Sequence, residues 1–114
     1  VIKNAPRYFH IIEPILKEEG IPNDFKYLAV IESSLNPIAR SPSGAAGLWQ
    51  FMPATGREFG QEVNDNIDER YNIEKATIAA CKYFKQAYAK YGDWMAVSAA
   101  YNAGHTRPGC LWPW

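Results

Sequence analysis

Between Asn72 and Gly92, apolar residues fall at Ile73, Ala76, Ala80, Tyr83, Phe84, Ala87, Tyr88 and Tyr91. This is the three-and-four spacing of a single helix face. A helix of that length has to bury its stripe against other elements, and Gly92 supplies the stop. Asp93 then caps a further helix expected over 94–102, with Gly104 ending it. Near the other end, Tyr8, Ile11, Ile12, Ile15 and Leu16 share a face from Arg7 to Glu19, before Gly20. Pro14 lies inside that stretch and is expected to kink or restart the helix. No stretch alternates as a half-buried strand would. The expected fold class is all-α, or mainly α, with several short to medium helices packed irregularly.

The remaining segments fill in this plan. Pro22 opens a helix with Asn23 or Asp24 as its cap, running to about Ser33. The stretch "SLNPIARSPS" from Ser34 to Ser43 reads as a loop, because Asn36-Pro37 and Ser41-Pro42 disfavour helix. Gly44 to Met52 is expected to form a short helix, and Pro53 to open another that ends near Gly60. "QEVNDNID" is polar and irregular. After Gly104 the run "HTRPGCLWPW" has no period. The expected organisation is one domain over residues 1–104 and an atypical tail over 105–114.

Length and charge narrow the function. The 114 residues make one domain's worth of chain, and 47% hydrophobic with 21% charged residues reads as a globular composition. Twelve basic residues balance twelve acidic ones. That argues against a broadly electrostatic partner such as nucleic acid or an anionic membrane. No apolar run approaches the roughly 20 residues of a membrane span. The chain starts at Val1 without a Met or a signal peptide, and is expected to be a fragment whose address is missing. Cys81 and Cys110 are too few and too far apart for a zinc cluster, and His10 and His105 form no ligand pair. Cys81, inside a helical pattern, reads as a small buried hydrophobe. Neither a metal nor a cofactor is expected.

Glu32 stands out. It is the only acidic residue from Phe25 to Arg57, and it follows the nearly unbroken apolar run "FKYLAVI". On a helix, Phe25, Leu28, Ala29 and Glu32 share one face. Partial burial and the negative end of the helix dipole both disfavour the carboxylate, so both push the group towards staying protonated. A carboxyl protonated near neutral pH can act as a general acid. Periodicity alone favours a structural Glu, either buried and bonded to backbone or to Ser/Thr, or reaching out of a frayed helix end.

Three motifs in order bear on that choice: "ESSLNPIARS" from Glu32, "SGAAGLWQFMPATG" from Ser43, and "AYNAG" from Ala100 to Gly104. Together they resemble the lytic transglycosylases that carry a soluble-lytic-transglycosylase domain, over about Arg7 to Gly104. "IPNDFKYLAVIESSLNP" looks most like the membrane-bound lytic murein transglycosylase D branch. The resemblance implies a lysozyme-like helical fold, truncated here at its C-terminal part, that cleaves the β-1,4 bond between N-acetylmuramic acid and N-acetylglucosamine. Glu32 would be the single catalytic acid, then base. It would release a 1,6-anhydro product without using water as nucleophile. Tyr101 would orient the carboxyl, while Gln50, Ser41 and Asn102 would contact sugar. Asn102 could instead cap its helix, Ser41 could be a turn residue, and Trp49 could be core or groove floor. Glu58, Asp65 and Asp68 read as solvated charges rather than a second acid.

The partner so implied is the peptidoglycan glycan strand, and the place is the bacterial cell envelope, periplasmic or associated with the outer membrane. Self-association through an incomplete groove is a further expectation. Rival readings are a muramidase that hydrolyses with water, a glycan-binding fragment with little turnover, and a structural helical domain with a buried Glu.

Overall fold

The computed structural model describes residues 5–106, with side chains over 7–102. Among the described residues it holds five α-helices and no named strand: α1 (Ala5–Glu19), α2 (Lys26–Ser33), α3 (Pro53–Glu58), α4 (Ile73–Tyr91) and α5 (Trp94–Thr106). Short 3-10 turns cover Asn23–Phe25 and Glu69–Tyr71.

Helix α4 is the spine, in contact with both α1 and α5. Its buried side carries Ala76, Thr77, Ala79, Ala80, Cys81, Tyr83, Phe84 and Ala87. The small alanines let neighbouring helices come close, and the two rings fill the space between. Asn72 caps its start by accepting from the Lys75 N–H, and Gly92 at φ +70° ends it. Tyr83, Phe84, Trp49 and Tyr101 pack edge to face in one aromatic cluster, with Tyr101 5.4 Å from Phe84 and Trp49 5.7 Å from Phe84. Trp49 is fully buried, so it belongs to the core rather than to a groove floor. Cys81 is buried as well, and burial pushes its thiol up to about 12. Cys110 lies outside the described residues.

Several local expectations are revised. Helix α1 runs through Pro14 without a restart. Pro14 and His10 are both exposed, so the carbonyl that proline deprives of a donor can turn to water. Neither Asn23 nor Asp24 caps α2. The chain enters it through the 3-10 turn, and no side-chain cap bond forms. Residues 44–52 are not helical but a compact set of turns with bridges at Arg40–Ala46 and Ala46–Phe51. Gly44, Gly47 and Gln50 all take positive φ, which a right-handed helix cannot accommodate. Helix α5 passes through Gly104 to Thr106; one interior glycine costs only about 1 kcal/mol. Asp93 does act at its start, accepting from the Met95 N–H at 3.1 Å. The rest of the expected tail, residues 107–114, lies outside the described residues.

Candidate active site

Helix α2 buries Leu28, Ala29 and Ser33 and leaves Glu32 half-buried at the end of its last turn. Burial is the cause that lifts the Glu32 carboxyl from 4.5 to about 7. Just beyond it the chain reverses through Ser34 and Leu35, both at positive φ, with the Ser34 N–H closing on Val30 O at 2.8 Å. This tight exit directs residues 36–52 back across the end of α2.

Ser33 ties the returning segment to the helix. Its hydroxyl lies 2.8 Å from Ala29 O, within α2, and 2.7 Å from Leu48 O. One residue further, Trp49 O accepts the Tyr101 hydroxyl at 2.5 Å, while the Trp49 indole N–H donates to Thr77 Oγ1 on α4 at 3.0 Å. Residues 48–49 therefore join α2 and α5 through their carbonyls and α4 through the Trp49 indole. Tyr101 is fully buried, and its phenol is pushed far above its usual value by burial and then by the charge of Glu32. The structure thus brings Glu32 and Tyr101 into electrostatic contact, and the phenol's own hydrogen goes to a backbone carbonyl.

The other candidates occupy different settings. Gln50 is buried, and both hydrogens of its Nε2 are committed, to Gly47 O at 2.8 Å and Ala39 O at 3.1 Å. Ser41 organises a turn: its Oγ accepts from the Ala45 N–H at 3.0 Å and lies 2.9 Å from Ser43 Oγ. Asn102 sits inside α5 rather than at its end, so it is no terminal cap. Its Oδ1 is buried with no hydrogen-bond partner among the described residues. An orphaned acceptor of that kind invites a donor from outside the fold.

Of the three remaining acids, Glu58 and Asp65 are exposed. Asp68 is not a solvated charge. It forms a bidentate pair with Arg70, which holds its carboxyl below the usual range. Arg70 itself is only 3% exposed. Sequence reading missed it, because a basic residue in a polar loop carries no periodic signal. Lys26, the one charge inside the apolar run at the start of α2, was missed as well: it is buried beside Glu13, with its ammonium over the rings of Phe9 and Tyr27 at 4.9 and 5.2 Å. Among the described residues no group of His, Cys, Asp and Glu could hold a metal ion, and no helix is long and apolar enough to cross a membrane.

The described residues thus form an all-α domain with one half-buried glutamate on α2 in electrostatic contact with a buried tyrosine on α5. The family model "Transglycosylase SLT domain" matches residues 9–109, and the chain belongs to that family. Among known proteins it is 34% identical over 108 residues to membrane-bound lytic murein transglycosylase D of Escherichia coli K12, across 94% of this chain and 24% of that protein. Peptidoglycan transglycosylase gp16 of Escherichia phage T7 is 34% identical over 111 residues, 94% of this chain and 8% of its own length. Membrane-bound lytic murein transglycosylase F of Marinobacter nauticus is 30% identical over 115 residues, 91% of this chain and 21% of that protein. The chain thus spans a quarter or less of these relatives.

Proposed function

We propose that this domain is a peptidoglycan lytic transglycosylase with Glu32 as its acid and base. The observation that carries the reading is the Glu32 carboxyl, lifted to about 7 by burial beside Tyr101. An acid–base group works best when its pKa lies near the working pH. Glu32 gives its proton to the glycosidic oxygen as the bond from that oxygen to C1 of the muramic acid breaks. The carboxylate so formed takes the proton of the same sugar's C6 hydroxyl, whose oxygen closes on C1. No water is consumed, Glu32 ends protonated, and the product carries a 1,6-anhydro ring.

One acid suffices on this route because the substrate supplies the nucleophile. Glycosidases that use two carboxyls hold them roughly 5–9.5 Å apart, whereas Asp68 is occupied by Arg70 and Glu58 and Asp65 lie exposed. Tyr101 stays a neutral phenol beside Glu32, because burial and the charge of the carboxylate both hold its pKa far above the usual value. For sugar contacts we propose Ser41, Gln50 and Asn102. Both N–H groups of Gln50 are committed to Gly47 O and Ala39 O, which fixes the orientation of the amide that would meet a sugar. Asn102 Oδ1 would accept from a hydroxyl or acetamido N–H.

The substrate is peptidoglycan and the place of action the bacterial cell envelope, in keeping with the names of the relatives. Digestion of purified sacculi followed by mass spectrometry tests this. Anhydro ends, one water lighter than reducing ends, are expected. Reducing ends would mean hydrolysis, and binding of chitooligosaccharide without cleavage would mean a glycan-binding module.

A further inference from the structure

Arg70 lies far from Glu32 in sequence, yet its side chain holds the segment on which the site is built. Its Nη1 donates to Gly44 O at 2.9 Å and to Phe51 O at 2.8 Å, the two ends of segment 44–51. Nε and Nη2 go to the two Asp68 oxygens at 2.9 and 2.7 Å. Four of the five guanidinium donors are therefore spent on fixed protein acceptors. The fit is close on the backbone side too. A Cβ at Gly47 would lie 1.9 Å from Arg70 O, and one at Gly56 would press on the Arg70 side chain at 3.3 Å. Between the two clamped ends lie Leu48 O, which receives Ser33 beside Glu32, and Trp49 O, which receives Tyr101.

Removing a guanidinium from water is costly, and a buried ion pair is weak evidence for stability. What this pair provides is geometry, since a planar fork can hold two carbonyls and a carboxylate at once and an ammonium cannot. We propose that Arg70 is a positioning residue for the reaction: it clamps both ends of segment 44–51, and so fixes the carbonyls that hold Ser33 and Tyr101 around Glu32. This rests on the proposed function for its kinetic readout but not for its spectroscopic one.

The test is Arg70→Lys in the full chain, which keeps the charge and loses the fork, alongside Asp68→Asn, which leaves Arg70 in place with a neutral partner. Each is checked for helical circular dichroism, assayed on sacculi, and titrated by carbon NMR of the Glu32 carboxyl. Tyr101 faces Glu32 from α5, and its phenol is held far above its usual value. The midpoint between about pH 4 and 9 therefore belongs to the carboxyl. Misplacement of a supporting group by about 1 Å can cost as much as 10²-fold. A folded Arg70→Lys is expected to lose about tenfold or more in kcat with KM within about twofold, and its Glu32 midpoint should fall towards 4.5 as water enters. Asp68→Asn should move both in the same direction by less, and it decides the matter if Arg70→Lys does not fold. Folded variants with lower melting temperature but unchanged kcat and Glu32 midpoint would make Arg70 a purely structural clamp and overturn the proposal. A wild type that cleaves no murein would sink the functional reading instead, while the NMR midpoints still judge the clamp.

Discussion

At the scale of single residues, the same burial that suits Glu32 to acid–base work makes it a cost to the fold. Its carboxyl ionises near 4.5 in the unfolded chain and near 7 in the folded one. Between those values the unfolded state holds fewer protons. The favourable contribution is thus full below about pH 4.5 and is lost as pH rises through 7. The raw shift corresponds to about 3 kcal/mol, and with the side chain half open to water we expect about 1–2 kcal/mol. Glu32→Gln should therefore be more stable than wild type by that amount at about pH 8 and equal to it at about pH 4, as read by urea unfolding. The same variant should lose roughly 10²- to 10⁴-fold in turnover. A stability difference between the two proteins that stays flat across this range would show that Glu32 titrates normally. Tyr101→Phe carries a different signature. It removes the buried hydrogen bond to Trp49 O, at a cost of about 1 kcal/mol, and it also withdraws the phenol oxygen from Glu32. Lower stability together with lower kcat is expected; a drop in stability alone would confine Tyr101 to packing.

At the scale of elements, what sequence could show was whatever local chemistry decides. Helix α4 was legible from its period, with the Gly92 stop read directly and Asn72 emerging as its cap. The start of α5 was legible from Asp93, and the partial burial of Glu32 from the apolar face it shares. Segment 44–51 was not. Its apolar composition suits a helix, but its shape is imposed from outside by Arg70 and by positive φ at Gly44, Gly47 and Gln50. Glycine hints at such a bend, whereas nothing in the letter Q announces a left-handed glutamine. The roles of Ser41 and Gln50 were obscured for the same reason, since their hydrogen bonds depend on that fold-back. Gly47→Ala probes this dependence. At φ +84° an alanine is strained by about 1–2 kcal/mol, and its Cβ would overlap the Arg70 backbone. We expect a loss of at least about 3 kcal/mol in urea unfolding. Gly92→Ala meets open space at a similar φ and should cost only the backbone strain of about 1–2 kcal/mol. Equal losses at the two sites would mean that segment 44–51 can move away from Arg70.

At the scale of the whole molecule, charge and surface point the same way. The chain carries no net charge, with a sequence pI near 6.9, so near neutral pH no mean repulsion keeps copies apart. Tyr27 and Ile31, one turn apart on the outer side of α2, are 51% and 66% exposed. Exposed apolar side chains grouped in this way favour contact between copies when charge does not oppose it. We expect self-association that grows with concentration near pH 7 and recedes near pH 9, where the net charge turns negative. Ile31→Lys tests the surface directly. It removes apolar area and adds a charge at a site exposed enough that stability should change by no more than about 0.5 kcal/mol. Sedimentation of the two proteins at matched concentration should show a larger monomer fraction for the variant at pH 7, with the gap closing at pH 9. If both sediment alike at pH 7, this side of α2 is not where copies meet.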